Sequence, residues 1–197
     1  MISFIFVAGS IASGKSIFIQ KLYNQSDCNF YDLSKPKLML QLYARPNDKS
    51  LSNALENAIA HSIEKQKDFI IEAHFSDEEL NHIDQYFEKY RDHFDFRAHF
   101  LTVSNIEILK DRAKKMFLLG DHSWRIEQIE KSFNQSFKNF IEYLSKFEKA
   151  TFWDNSKEFG FTNMEEQFVF ENGKLTFENP NLTDYSKKLL NAIQTGL

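Results

Sequence analysis

The sequence predicts an α/β fold, with helices on both faces of a mostly parallel five-stranded sheet. Three observations predict it. Short apolar runs at 2–8, 28–31, 69–71, 94–103 and 150–153 alternate with stretches of helical periodicity, the pattern of strands joined by crossover helices. A glycine-flanked loop, Gly9 to Ser16, lies between the first run and the first helical stretch. Near the C-terminus, Asn172-Gly173 separates Phe168-Val169-Phe170 from Leu175-Thr176-Phe177; this is a hairpin signal, because both turn positions need positive φ.

Taken in order, Ile2 to Ala8 reads as a buried strand closed by Gly9, and Lys15 to Tyr23 as a helix with Ile17, Phe18 and Leu22 on one side. Cys28 to Tyr31 is a second short strand ending at Asp32. Residues 49–67 place Leu51, Leu55, Ala58, Ile59 and Ile63 on one helical face. Phe69-Ile70-Ile71 is a strand ending at Glu72. Ser76 with Glu79 forms a capping-box pair ahead of Leu80, Ile83, Phe87 and Tyr90, which starts a helix there. Phe94 to Val103 alternates as a strand. Ser104 with Glu107 repeats the capping signature and opens a helix through Ile108, Leu109 and Ala113. A long helix over 124–147 precedes a strand at Ala150 to Trp153, and Thr183 caps a last helix bearing Leu189, Leu190 and Ile193. Phe133, Phe137 and Phe140 recur at helical spacing and read as core. No domain boundary interrupts 1–197; the expectation is one domain with a lid-like helical segment at about 112–147 and a hairpin and helix at about 164–197.

Composition narrows the classes. The 197 residues are 42% hydrophobic and 26% charged, as in ordinary globular proteins. A formal net charge of −4 argues against nucleic-acid binding through bulk positive charge. Phe, at 21 residues, supplies ample core, and Cys28 is the only cysteine, which excludes an intramolecular disulfide or a cysteine-rich zinc site. No run approaches the ~18 apolar residues of a membrane span, and the opening strand lacks the basic start of a signal peptide. A cytoplasmic, membrane-free protein is the expectation.

Gly9-Ser10-Ile11-Ala12-Ser13-Gly14-Lys15-Ser16 matches G-x-x-x-x-G-K-[ST]. Its glycines let the backbone wrap a phosphate chain with amide N–H groups pointing inward at a helix head. Lys15 then serves the β and γ phosphates, and Ser16 is placed for Mg²⁺. Because the motif sits between a predicted strand and a predicted helix, it identifies a P-loop NTPase with three α/β/α layers, binding ATP and Mg²⁺. No Asn-Lys-x-Asp sequence follows to read guanine. Asp77-Glu78-Glu79 belongs to the first turn of a helix, where carboxylates suit the dipole, rather than to an ATPase motor. A small-molecule kinase remains.

Ligands of parallel sheets bind at the carboxyl ends of the strands. A kinase needs a carboxylate near the acceptor hydroxyl and cations around the moving phosphoryl group. Asp32 is placed as that base, the alternative being an ordinary loop-starting aspartate. Glu72 closes a buried strand and faces the site, either towards substrate or in a structural ion pair. His74 lies two residues on, in reach of substrate or on the surface. Arg112, Lys114, Lys115, Arg125 and Lys131 supply cations in the helical segment, although most charges on such helices form a solvated face.

These residues resemble the zeta toxin-like P-loop kinases. The similarity runs over residues 2–16, the Phe69-Ile70-Ile71-Glu72-Ala73-His74 strand, Arg112, Gly120-Asp121-His122, Ile129, Ser136-Phe137-Lys138-Asn139-Phe140 and Asp154-Asn155-Ser156. The resemblance implies transfer of the γ-phosphoryl of ATP to a small hydroxyl-bearing metabolite, in the best-known case a UDP-amino sugar, and an antitoxin partner. It implies Asp32 as catalytic base, Glu72 as the partner of the substrate hydroxyl and Arg112 as a cation at the transferring group. This sequence departs from the family pattern where a second arginine becomes Met116 beside Lys115, where an arginine cluster becomes Glu130-Lys131-Ser132, and at Asp121. Lys115, Arg125 or Lys131 then substitutes, or the enzyme is slow, or its substrate differs. Two further readings are a P-loop kinase for a nucleoside or free sugar, and an ATP-binding regulatory protein whose catalysis has decayed.

Overall fold

A computed structural model describes residues 1–23, 28–32, 36–44, 50–119, 124–157 and 164–196. In chain order they form β1 (Ile2–Gly9), α1 (Lys15–Leu22), β2 (Cys28–Tyr31), α2 (Pro36–Tyr43), α3 (Leu51–Lys65), β3 (Asp68–Ala73) and α4 (Leu80–Tyr90). There follow β4 (Phe94–Thr102), α5 (Ile106–Leu118), α6 (Ile126–Glu142), β5 (Lys149–Asp154), β6 (Glu165–Glu171), β7 (Lys174–Glu178) and α7 (Asp184–Thr195). The strands make one sheet in the order β2-β3-β1-β4-β5-β6-β7. The first five are parallel, and β6 and β7 run antiparallel to their neighbours.

The sheet therefore has seven strands where the sequence predicts five. The five parallel strands are the expected ones. The hairpin does not stand apart but pairs along the free edge of β5, with Ala150 opposite Phe170. Its turn behaves as the Asn-Gly pair requires, with φ of 49° at Asn172 and 74° at Gly173.

Alternation along β1 builds the core. Phe4, Phe6 and Ala8 point into one cluster, shared with Phe69, Ile71, Phe96, Phe100, Phe140 and Phe152 and covered by α3, α4 and α6. Ile5 and Val7 point the other way, against Phe18 and Ile19 of α1 and Leu101. Both faces of β1 are thus buried, as expected of a central parallel strand. The predicted aromatic stripe belongs to the core: Phe140 is fully buried, Phe137 packs on the same cluster, and Phe133 packs on a smaller one around Ile129.

Several element ends differ from the sequence expectation. Helix α2 was not foreseen, because Leu38, Leu40 and Leu42 alternate with a strand-like period of two in a short segment. The helix expected to start at Ser76 begins at Leu80; the Glu79 carboxylate takes the backbone N–H groups of His74 (2.8 Å) and Phe75 (2.9 Å) instead. Asn105, not Ser104, caps α5, its side chain accepting from the Glu107 N–H at 2.9 Å. The long helix over 124–147 stops at Glu142 and continues as a short 3₁₀ turn, Leu144–Lys146. Thr183 does cap α7, accepting from the Ser186 N–H at 3.2 Å. No described helix is long and apolar enough to cross a membrane.

Behind the sheet, under α1, His99 is half-buried between two polar partners. The Trp153 indole donates to its Nδ1 at 3.1 Å, so the ring proton sits on Nε2, 2.6 Å from the Tyr23 hydroxyl. Burial, with the charges of Lys149 and Arg97 adding to it, pushes the pKa of His99 down from 6.5 to about 4. In the unfolded chain the ring takes up a proton near pH 6.5, whereas the folded ring does so only near 4. Stability contributed by the neutral ring is therefore full above pH 6.5 and falls as the pH drops towards 4. The expected loss is on the order of 3 kcal/mol, read from urea unfolding at pH 7 and pH 4. His99→Gln, which retains a donor and an acceptor, should flatten this step.

Candidate active site

The loop from Gly9 to Gly14 leaves the end of β1 and enters α1 at Lys15. Two of its positions admit no side chain. Gly9 has φ +139°, and a Cβ there would lie 2.5 Å from the Leu101 carbonyl oxygen of β4. Gly14 has φ +101°, and a Cβ there would lie 2.6 Å from the Asn155 amide nitrogen. The glycines therefore allow both the left-handed turn and the close approach of β4 and the 155 loop.

Lys15 is 2% exposed. Its ammonium donates to the carbonyls of Gly9 (3.0 Å) and Ser10 (2.9 Å), meets His74 Nδ1 at 3.1 Å, and lies 3.6 Å from Glu72 Oε1. Burial lowers its pKa, while Glu72, Glu79 and Asp32 oppose that shift. Burial, and then the charge of Lys15, holds His74 well below the usual histidine range. The ring is therefore neutral at pH 7 and accepts from the lysine. The Ser16 hydroxyl donates to Glu72 Oε2 at 2.8 Å. One carboxylate at the end of β3 thus holds both the cation and the hydroxyl of the loop.

Asp32 follows β2 and is 1% exposed, with its backbone N–H directed at Met39 Sδ (3.2 Å). It lines a cleft of about 240 Å³ with Tyr31, Glu56, His82, Gln85 and Tyr86, between α3 and α4. Because β2, β3 and β1 are neighbours, the carboxyl end of the sheet carries Asp32, then Glu72 with His74, then the phosphate loop, in that order. The structure brings these predicted residues together.

The predicted lid cations are distributed differently. Arg112 is 4% exposed, and one guanidinium nitrogen donates to the carbonyls of Asn155 (2.6 Å) and Lys157 (3.1 Å). Burial lowers its pKa and Asp154 opposes this. In this arrangement it clamps the loop after β5. Arg112→Ala should therefore destabilise the fold by about 2–4 kcal/mol, since charged hydrogen bonds to two backbone carbonyls are lost, and Arg112→Lys should recover only part, lacking the planar fork. Chemical denaturation checks this; unchanged stability would mean that the arginine does not hold the loop. Lys115 and Arg125 are exposed, the latter at the start of α6. Lys131 pairs with Glu78 and lines a hollow beside the loop together with Ile11, His74 and Ser132. Gly120, Asp121 and His122 lie outside the described residues.

Two residues not predicted as site groups touch the loop. Ser132 Oγ of α6 accepts the Ile11 N–H at 3.0 Å, and Asn155 Nδ2 donates to the Ser13 carbonyl at 2.8 Å. Asn155 stood in the Asp-Asn-Ser run, and Ser132 ended the segment noted for its missing arginines. Their partners are 142 and 121 residues away, so only the run itself hinted at the first. Asp77-Glu78-Glu79 serves the structure: Asp77 accepts from Asn139 at 2.8 Å, Glu78 pairs with Lys131, and Glu79 takes backbone N–H groups.

The fit of the expected ligands is tested by unpaired groups. Ser13 Oγ and Asn155 Oδ1, on either side of Gly14, are buried and without hydrogen-bond partners among the described residues. Ser16, with its proton given to Glu72, keeps both lone pairs for a cation. No group of three or more His, Cys, Asp or Glu side chains that could hold a metal ion forms among the described residues.

No protein-family model matches the sequence, and no curated protein matches it. Solved structures do. A chain of the PezAT chromosomal toxin-antitoxin system of Streptococcus pneumoniae is similar with a TM-score of 0.56 at 11% identity, over 98% of this chain and 85% of that one. A chain of the AvrRxo1-ORF1:AvrRxo1-ORF2 complex with sulphate ions gives 0.61 at 13% identity, over 98% of this chain and 63% of that one. The same complex with ATP gives 0.59 at 11% identity, with the same coverage. This chain thus spans less than two thirds of the AvrRxo1 chain. These likenesses are ones of fold alone: the chain has the zeta toxin-like P-loop kinase fold.

Proposed function

We propose that this protein is a kinase that transfers the γ-phosphoryl group of ATP to a hydroxyl of a small metabolite. The observation that carries the reading is the row Asp32, Glu72, Lys15 along the ends of three adjacent strands. The loop amides and Lys15 hold the triphosphate, and Glu72 orients Ser16. Ser16 would hold Mg²⁺, which would supply neutralisation of phosphate charge when bound. The acceptor lies in the cleft beside Asp32. Asp32 takes the hydroxyl proton as the acceptor oxygen bonds to the γ-phosphorus, and the bond to the β,γ-bridging oxygen breaks, its electron pair leaving with ADP. His74, neutral and against Lys15, is a positioning residue for that lysine. Glu72 has both oxygens engaged by the loop, so its part is to hold the loop rather than the acceptor.

The likeness to a chain of a toxin-antitoxin system and to one of a two-component complex supports an antitoxin-type protein partner, which pull-down with the product of an adjacent reading frame tests. The UDP-amino sugar implied by the sequence resemblance is one candidate acceptor. A second reading, an ATP-binding regulatory protein, is favoured by the exposure of Lys115 and Arg125 and the engagement of Arg112 with backbone carbonyls. The test is phosphorus NMR of ATP·Mg²⁺ with an acceptor panel. A new phosphate ester with wild type, and none with Lys15→Ala, is expected of a kinase; ATP binding without transfer is expected of the regulatory protein.

A further inference from the structure

We propose that Ser132 of α6 is a positioning residue for Lys15, acting through the peptide unit between Ser10 and Ile11. Every peptide bond among the described residues is trans, so the carbonyl and the N–H of one unit point to opposite sides of the chain. At this unit both ends are engaged. The Ile11 N–H donates to Ser132 Oγ at 3.0 Å; on the other side the Ser10 carbonyl accepts the Lys15 ammonium at 2.9 Å and the Ser13 N–H at 3.2 Å. Turning the unit over would point the Ile11 N–H at a buried cation and take an acceptor from both donors. Ser132 thus fixes, from outside the loop, which way the Ser10 oxygen faces and with it where the ammonium rests.

The hydroxyl is offered from a rigid support. Ile129, Ser132, Ser136, Asn139 and Phe140 are the buried residues of α6, at the three- and four-residue spacing of one helical stripe. Ile129 shares an apolar cluster with Ile11 itself, and Phe140 belongs to the main core. Asn139 donates to the Phe75 carbonyl at 2.9 Å and to Asp77 at 2.8 Å. Phe75 has φ of 53°, a conformation costly for a bulky residue. It follows His74, whose Nδ1 meets the ammonium at 3.1 Å. One helix face therefore braces the cradle of Lys15 on two sides, at the loop peptide and at the turn after His74. This hold matters for ATP only under the kinase reading proposed above: a lysine kept in place before the triphosphate arrives has less freedom to lose on binding.

Two readouts on the full chain compare wild type with Ser132→Ala, Ser132→Thr and Ser136→Ala. The last is the control, because it removes another buried hydroxyl one turn along the same face. The first readout, without nucleotide, is the rate at which N-hydroxysuccinimidyl acetate acetylates Lys15 relative to the exposed lysines, followed by peptide mass spectrometry. The second is the Kd for ATP·Mg²⁺ from isothermal titration calorimetry. Ser132→Ala should raise both about tenfold, the scale of one buried hydrogen bond left unmade. Ser132→Thr, which keeps the hydroxyl, and Ser136→Ala should both stay within about threefold of wild type. An acetylation rate or an ATP Kd unmoved by Ser132→Ala overturns the inference. So does a threonine variant no better than alanine, or an equal change with Ser136→Ala, which would make Ser132 an ordinary packing residue. If wild type fails to bind ATP, the kinase reading fails, and the acetylation rates alone decide whether Ser132 places the lysine.

Discussion

Replacing Asp32 with asparagine is expected to lower kcat by about 10² to 10⁴, the usual contribution of a positioned general base, while ATP binding stays intact. The substitution keeps the shape of a side chain that is 1% exposed and removes its negative charge and with it its capacity to take a proton. The position favours this outcome. Asp32 is near enough to Lys15 for its charge to raise the lysine pKa, yet it lines a separate cleft on the β2 side. In the proposed mechanism, phosphates and acceptor would therefore approach from opposite sides of Glu72. Steady-state kinetics at saturating ATP, with ATP affinity measured in parallel, check the prediction. Turnover within a few-fold of wild type would remove Asp32 from the mechanism.

Lys15→Ala is expected to reduce kcat by about 10² to 10³ or more, the cost of losing one preorganised group at developing charge. It should also abolish stabilisation by ATP, which for wild type at a hundredfold excess over Kd is about 2.7 kcal/mol. A cation buried to this degree costs free energy to desolvate, and here two loop carbonyls, His74 and Glu72 compensate it. Differential scanning fluorimetry with and without ATP·Mg²⁺ reads the binding, and the transfer assay reads the rate. A variant still stabilised by ATP to the wild-type extent would mean that the lysine does not contact the nucleotide.

What the sequence revealed was local. The phosphate loop is eight consecutive residues whose chemistry is set by their order. The Asn172-Gly173 turn and the Thr183 cap likewise depend on neighbours within a few positions. Glu72 stood out as a candidate because it closes an apolar strand, but its engagement with Ser16 and Lys15, 56 and 57 positions away in sequence, was not legible. Arg112 shows the same limit. The resemblance implies a role for it at the transferring group, and only the fold discloses that one of its guanidinium nitrogens donates to carbonyls 43 and 45 residues on. Ser76 and Ser104 each stood three residues before a glutamate, yet a neighbouring side chain won the cap at Asn105, and Glu79 turned back to the preceding backbone. The count of five strands failed because a hairpin read alone carries no information about which edge it will join.

The placement of β1 at the middle of the sheet has a consequence for how the molecule opens. Its residues Phe4 to Ala8 are covered on both faces, and β3 and β4 hold it on either side, whereas four of the five residues of β7 are exposed. Local opening follows such gradients, so amide hydrogen exchange should be slowest in β1, β3 and β4 and fastest in β7. The candidate site groups hang from the ends of the slow strands or, for Asp32, from the strand beside them. Fraying at the hairpin edge can thus proceed many times over in the native protein while the loop and Glu72 keep their spacing, and only cooperative unfolding of the central strands takes the row of Asp32, Glu72 and Lys15 apart.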